Sequence, residues 1–326
     1  MSDKKIIAVV GATGQQGGGL VRAILADPDG PFVARALTRN ADSPAAQELA
    51  AQGAEVMEAD LNDEASLRAA FDGAHGAFVV TNFWAELTPE QEAANLTRPQ
   101  MELNQAAAAA RAAKSAGLRH VVWSTLEDTR PHFQSLGSEL PTLMDVYKVP
   151  HFDAKGAANS YFTEAGVPTT FLETTFYYES LLAGLGQGPQ RDDNGDLVLA
   201  LPMSDAVMAL VASEDIGRTA YGVFRAGAKY VNRTVGVAGA HATGTELAEM
   251  LTNALGEKVT YRPVDHDAMR AAGGWFVNEI ANMYQFYAQA SENFVANRNL
   301  DRVRELNPQV KPLDEWLVEH KDQLIG

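Results

Sequence analysis

Apolar residues come in short blocks along this chain of 326 residues, and polar segments with a helical period separate them. Six blocks read as strands: Ile6–Val10, Phe32–Leu37, Ala54–Ala59, Ala77–Val80, His120–Ser124 and Thr169–Leu172. Several are apolar on successive positions. A strand with one wet face alternates, whereas a strand covered on both faces does not need to, so the pattern suits a parallel sheet. Between the blocks, Leu20, Val21, Ile24 and Leu25 fall on one helical face. Ala45 with Leu49, and Leu67 with Phe71, do the same in the next two windows. The window Glu90–Gly117 predicts one long helix, with Ala106–Ala110 at its centre and Gly117 at its C-cap.

This strand–helix rhythm predicts an α/β fold, a Rossmann-type doubly wound parallel sheet over residues 1–175. After Leu172 the pattern loosens. Gly186–Asp196 reads as a surface loop or hairpin turn. Strands over Tyr230–Val237 and Val259–Pro263 and helices near Thr245–Leu255, Trp275–Ala288 and Leu313–His320 predict a smaller mixed C-terminal lobe over residues 176–326. The chain is expected to interleave the two parts around a shared cleft.

Composition narrows the chemistry. At 46% apolar and 21% charged the chain is not of disordered type. Its 42 acidic and 26 basic residues give a net charge of −16, which disfavours nucleic acid as a partner. It has no cysteine, so disulfides, thiolate metal sites and cysteine nucleophiles are excluded and redox chemistry needs a bound cofactor. The remaining histidines show no metal-ligand spacing, so no metal is expected. No apolar run approaches ~20 residues, so no membrane span is expected. The run after MSDKK is too short for a signal peptide, which makes a cytoplasmic protein the expectation.

The first strand runs into GATGQQGGG, Gly11 to Gly19. Gly11, Gly14 and Gly17 have the spacing of a dinucleotide turn: one for the tight bend, one for backbone approach to a pyrophosphate, one for packing of helix on strand. The helix N-terminus then offers unpaired N–H groups to the phosphates. The second strand ends ARALTRN, with Arg39 where an NAD-binding chain carries an acid. A guanidinium suits a ribose 2′-phosphate, so NADP(H) is expected ahead of NAD(H). Asp60, ending the third strand in EADLND, is a candidate for the adenine edge or a helix N-cap.

GATGQQGG, LTRN, VTNFW, HFDAK, TTFYYESLL and NMYQFYA together resemble the NmrA-like family of atypical short-chain dehydrogenase/reductases, from the N-terminus to the last helices. The resemblance implies a Rossmann domain with NADP(H) in its cleft. It implies that Gly11, Thr13, Gly14, Gln15 and Gln16 wrap the pyrophosphate and that Arg39 and Asn40 hold the 2′-phosphate. Asp60 and Leu61 would flank the adenine. Thr81, Asn82 and Phe83 would line the path to the nicotinamide, Lys155 would reach its ribose, and Tyr177, Tyr178, Glu179 and Ser180 would close around its end. The chain departs from the family at Ala41, Asp42 and Ser43 and at Ala93 and Ala94, where members of it carry further basic residues. The family includes both transcriptional co-regulators that sense dinucleotide redox state and true reductases.

Typical short-chain dehydrogenases lower a tyrosine pKa with a lysine four residues on. Here His151 precedes Lys155 by four, so the two share a helical face, and histidine can itself carry a proton. Ser124 and Thr125 stand at the carboxyl end of the fifth strand, where the upstream serine belongs; Tyr147 lies two turns from Lys155. Phe83, Trp84, Tyr177, Tyr178, Trp275, Phe276 and Tyr284 could roof a pocket for a planar molecule or simply build core. The alanine run could serve a dimer or a plain helix, leaving monomer and homodimer open. The missing Tyr-x-x-x-Lys pair makes a dinucleotide redox sensor read by a regulatory protein the first expectation, and an NADPH-dependent reductase of a small carbonyl, quinone or enone the alternative. An open cavity beside the nicotinamide favours the reductase; one filled by Phe83 and Tyr178 favours the sensor.

Overall fold

A computed structural model describes residues 4–138 and 140–325; the first three residues of the charged start lie outside it. Lys5–Val10 (β1), Phe32–Thr38 (β2), Glu55–Glu58 (β3), Gly76–Val79 (β4), His120–Thr125 (β5) and Thr169–Glu173 (β6) are strands close to the predicted blocks. Gln15–Leu25 (α1), Pro44–Ala51 (α2) and Glu64–Phe71 (α3) connect the first four. The predicted long helix is two, Pro89–Ala93 (α4) and Arg98–Ser115 (α5). Thr97 stops continuity: its side chain accepts from the Gln100 N–H while the Gln100 side chain accepts from the Thr97 N–H, a reciprocal cap that starts a new helix. Gly117, at φ +64°, turns the chain just beyond its end.

Arg130–Leu136 (α6) and Pro150–Glu164 (α7) follow β5. Beyond β6 come Phe176–Tyr177 (β7), Gln190–Arg191 (β8), Leu197–Leu201 (β9), Met208–Val211 (β10), Ser213–Ala226 (α8), Thr234–Gly236 (β11), Ala240–Ala242 (β12), Gly244–Leu255 (α9) and Val259–Pro263 (β13). His266–Arg270 (α10), Trp275–Gln289 (α11), Ser291–Asn297 (α12), Leu300–Leu306 (α13) and Leu313–Glu319 (α14) complete the chain. No helix of the described residues is long and apolar enough to cross a membrane.

Seven strands form one wholly parallel sheet in the order β11-β6-β5-β4-β1-β2-β3. The doubly wound fold is as expected. Strand order reverses between β1 and β4, so a crevice opens at their carboxyl ends. Two three-stranded sheets of mixed direction, β12-β10-β7 and β13-β9-β8, form the C-terminal lobe. The predicted turn is a β8–β9 hairpin around Asp192–Asp196.

The later half of the chain is shared between the two parts. β11 extends the large sheet, and α8 packs on α1. A Cβ at Gly19 would lie 2.3 Å from the Glu214 carbonyl oxygen, so these helices meet backbone to backbone. The strand predicted over Tyr230–Val237 shrinks to three residues, because Asn232 at φ +57° bends the chain before it. The alanine run of α5 faces inward, packed with Trp123 and Phe162 against the sheet and α7. The plain core-helix reading accounts for it.

Candidate active site

The site begins where β1 ends. Gly11 takes φ +66°, and its carbonyl accepts from the Gly14 N–H at 2.9 Å. A Cβ at Gly17 would sit 2.4 Å from the same oxygen, so α1 can start this close to β1 only with glycine there. Among the described residues no side chain caps α1, which leaves its first N–H groups open toward the crevice.

A cavity of about 1060 Å³ runs from this turn across the carboxyl ends of the strands into the C-terminal lobe. Gly11, Thr13, Gly14, Gln15, Gln16 and Gly17 line its floor, and Arg39 and Asn40 border it at the end of β2. Arg39 is exposed and makes no ion pair among the described residues. Asp60 and Leu61 lie on the next rim. Asp60 accepts from the Asn62 N–H, and Asp63 is the residue that caps α3. Thr81, Asn82 and Phe83 continue the wall, followed by Ser124, His151, Lys155, Tyr177 and Ser180.

Two expected residues lie elsewhere. Tyr178 has no exposed surface; it packs on Trp316, and its hydroxyl donates to the Lys311 carbonyl at 3.3 Å. Burial pushes its phenol far up. Glu179 accepts from the N–H and hydroxyl of Ser213, which holds the start of α8. The cause is local: Tyr178–Leu181 is a 3₁₀ turn, in which side chains three apart share a side. Tyr177 and Ser180 therefore reach the cavity while Tyr178 and Glu179 point away. Thr125 also turns inward, its hydroxyl donating to Asn159 at 2.8 Å.

The polar groups are tightly partnered. Lys155 Nζ donates to Thr81 Oγ1 at 2.7 Å and pairs with Glu102 at 2.8 Å. Ser124 Oγ donates to Gln16 Oε1, and Gln16 Nε2 donates to the Tyr177 hydroxyl, both at 2.7 Å. His151 Nδ1 lies 2.7 Å from Oε1 of Glu279, which also accepts the His151 N–H. Phe83, Trp84, Phe276, Ile280, Met283 and Tyr287 line the same cavity with His151. Trp275 stacks on Trp84 at the rim, whereas Tyr284 is buried in the lobe core.

The sequence profile of the NmrA-like family matches residues 3–317. The chain belongs to the NmrA-like family. A relative in Malbranchea aurantiaca, the NmrA-like family domain-containing oxidoreductase malD, is 28% identical over 302 residues, covering 84% of this chain and 86% of the relative. Among solved structures, the negative transcriptional regulator NmrA in complex with NADP shares the fold at TM-score 0.73 and 22% identity, covering 97% of this chain and 95% of its own. The triphenylmethane reductase of Citrobacter sp. complexed with NADP(H) shares it at TM-score 0.69 and 23% identity, covering 96% and 99%.

Within this NmrA-like fold, sequence reasoning missed Glu102 and Glu279, the two fully buried carboxylates behind Lys155 and His151. Neither sits in a local motif. Each reaches the site from a helix remote in sequence. Ile280, Met283 and Tyr287 were missed as well; only their spacing on one face of α11 hinted at a common wall.

Proposed function

We propose that this NmrA-like chain is an NADP(H)-dependent reductase of a small planar conjugated acceptor. The observation that carries the reading is the chamber beyond Phe83 and His151, which Tyr178 leaves open and which aromatic and aliphatic side chains wall. Such a chamber suits a second, flat, largely apolar molecule.

The residues fit a dinucleotide. The missing Cβ atoms of Gly14 and Gly17, the positive φ of Gly11 and the uncapped start of α1 form a backbone cradle for a pyrophosphate. Arg39, free of any ion pair among the described residues, supports the phosphorylated form over NAD(H). When bound, the dinucleotide supplies the hydride. Lys155, held by Thr81 and Glu102, is placed to donate to a ribose hydroxyl. The aromatic walls offer flat faces on which the acceptor can stack. On this reading residues 1–175 carry most of the dinucleotide contacts, and residues 176–326 add Tyr177, Ser180 and the α11 wall.

A non-catalytic redox sensor, read by a protein partner, is the second reading. The commitment of Ser124 to Gln16 and the absence of a tyrosine four residues before Lys155 favour it.

Calorimetric titration with NADPH, NADP⁺, NADH and NAD⁺, followed by NADPH oxidation assays with quinones and enones, tests both. Tighter binding of the phosphorylated pair, reduced about 10- to 100-fold in Arg39→Ala as loss of a charge-assisted contact predicts, together with turnover of an acceptor, supports the reductase. Binding with a large NADPH/NADP⁺ difference and no turnover supports the sensor. No dinucleotide binding overturns both.

A further inference from the structure

We infer that His151 and Glu279 form a proton-delivery pair, with His151 Nε2 as the donor to the acceptor and Glu279 as its positioning residue. The inference rests on the reductase reading. α7 carries His151 and α11 carries Glu279, 128 residues apart in sequence. Oε1 of Glu279 accepts twice, from the His151 N–H at 2.8 Å and from Nδ1 at 2.7 Å. A carboxylate oxygen fixed by the backbone N–H and by the ring of one residue sets both the position and the rotation of that ring. Oε2 of Glu279 is buried and without a partner, so the imidazole is the only side chain that meets this carboxylate among the described residues.

The pairing decides which nitrogen serves the cavity. Oε1 already accepts the His151 N–H, so it acts as an acceptor toward the ring as well, and Nδ1 keeps a hydrogen directed at Glu279. Nε2 has no partner among the described residues, and the ring lines the cavity between Trp84, at 5.1 Å, and Phe83, at 6.0 Å. In the protonated ring Nε2 carries the second hydrogen. The acceptor carbon takes a hydride from a reduced nicotinamide dinucleotide, its π pair moves to the acceptor oxygen, and that oxygen takes the proton from Nε2. The ring is left neutral with its hydrogen on Nδ1, and a solvent proton restores it. Ser124 cannot compete, because its hydroxyl donates to Gln16.

Nitrogen NMR of histidine-labelled protein at alkaline pH reads the tautomer directly, with His151→Asn identifying the signal. The expected result is an Nδ1–H tautomer in the native protein, kept in Glu279→Gln, which still offers an oxygen, and changed to Nε2–H in Glu279→Met. With NADPH and 1,4-naphthoquinone, His151→Asn and Glu279→Met are expected to lower kcat about 10²- to 10⁴-fold with unchanged NADPH affinity. A native Nε2–H tautomer, or His151→Asn turning over at the native rate, overturns the pair. NADPH binding without reduction of any quinone or enone overturns the reductase reading instead, and the tautomer then judges the pair by itself.

Discussion

Nζ of Lys155 lies 2.8 Å from Oε1 of Glu102, a carboxylate with no exposed surface. Thr81 Oγ1 donates to the same oxygen at 2.7 Å, and Oε2 has no partner among the described residues. The lysine is therefore both a wall of the cavity and the counter-charge of a buried anion. Removing one member of such a pair strands the other. Lys155→Met is expected to lower stability by about 3–5 kcal/mol, and Lys155→Met/Glu102→Leu to recover most of that loss. Urea unfolding of the two variants measures the difference; equal losses would disprove the coupling.

The glycines of the first turn divide by task. In Gly17→Ala the new Cβ would meet the Gly11 oxygen and the Val10 oxygen, at 2.4 and 2.8 Å, both backbone. Dinucleotide binding should vanish there. In Gly19→Ala the clash is with the Glu214 backbone in α8, away from the crevice. Overpacking of this kind costs roughly 1–3 kcal/mol, so thermal stability should fall while calorimetry still detects dinucleotide binding.

Adjacent tyrosines make a sharper contrast. Tyr177 holds Gln16 in the cavity floor, and Tyr178 belongs to the lobe core. Tyr177→Phe should weaken dinucleotide binding several-fold by releasing Gln16. Tyr178→Phe should leave the affinity unchanged and cost at most about 1 kcal/mol of stability for its one hydrogen bond. A loss of affinity in Tyr178→Phe would return that residue to the site.

Glu173, at the end of β6, supplies a pH dependence. Burial first and the charge of Glu127 second push its carboxyl from 4.5 up to about 7, against the opposing pull of Arg298. Arg298 itself is engaged by Glu127 at 2.6 and 2.9 Å. Between 4.5 and about 7 the folded protein holds a proton that the unfolded chain has released. Stability therefore falls as pH rises through that window. Glu173→Gln should flatten this slope and raise Tm by roughly a few degrees near pH 8, as scanning calorimetry at several pH values would show.

The sheet was legible because its information is local. A buried parallel strand is an apolar block, an amphipathic helix is a 3.6-residue period, and both can be read within a dozen residues. The glycine turn was legible for the same reason: strand, bend and helix adjoin. The break at Thr97 is local too: a reciprocal cap with Gln100 starts a new helix inside a window whose alanine-rich pattern is continuous with helix. The direction of Tyr178 was not legible, since a motif gives neighbours and a 3₁₀ turn decides which of them face the ligand.

By itself the sequence determined the α/β class, the succession of the first six strands along the chain, the glycine turn after the first of them and the absence of cysteine chemistry, all consequences of residue type and short spacing. Only the tertiary structure decided that Tyr178 and Glu179 leave the cavity, that β11 returns to the large sheet, and that Glu102 and Glu279 stand behind Lys155 and His151. The physical reason is distance along the chain. α5 and α11 carry those carboxylates 53 and 128 residues from the side chains they hold, and nothing in a short window of residues records which remote helix will cover it.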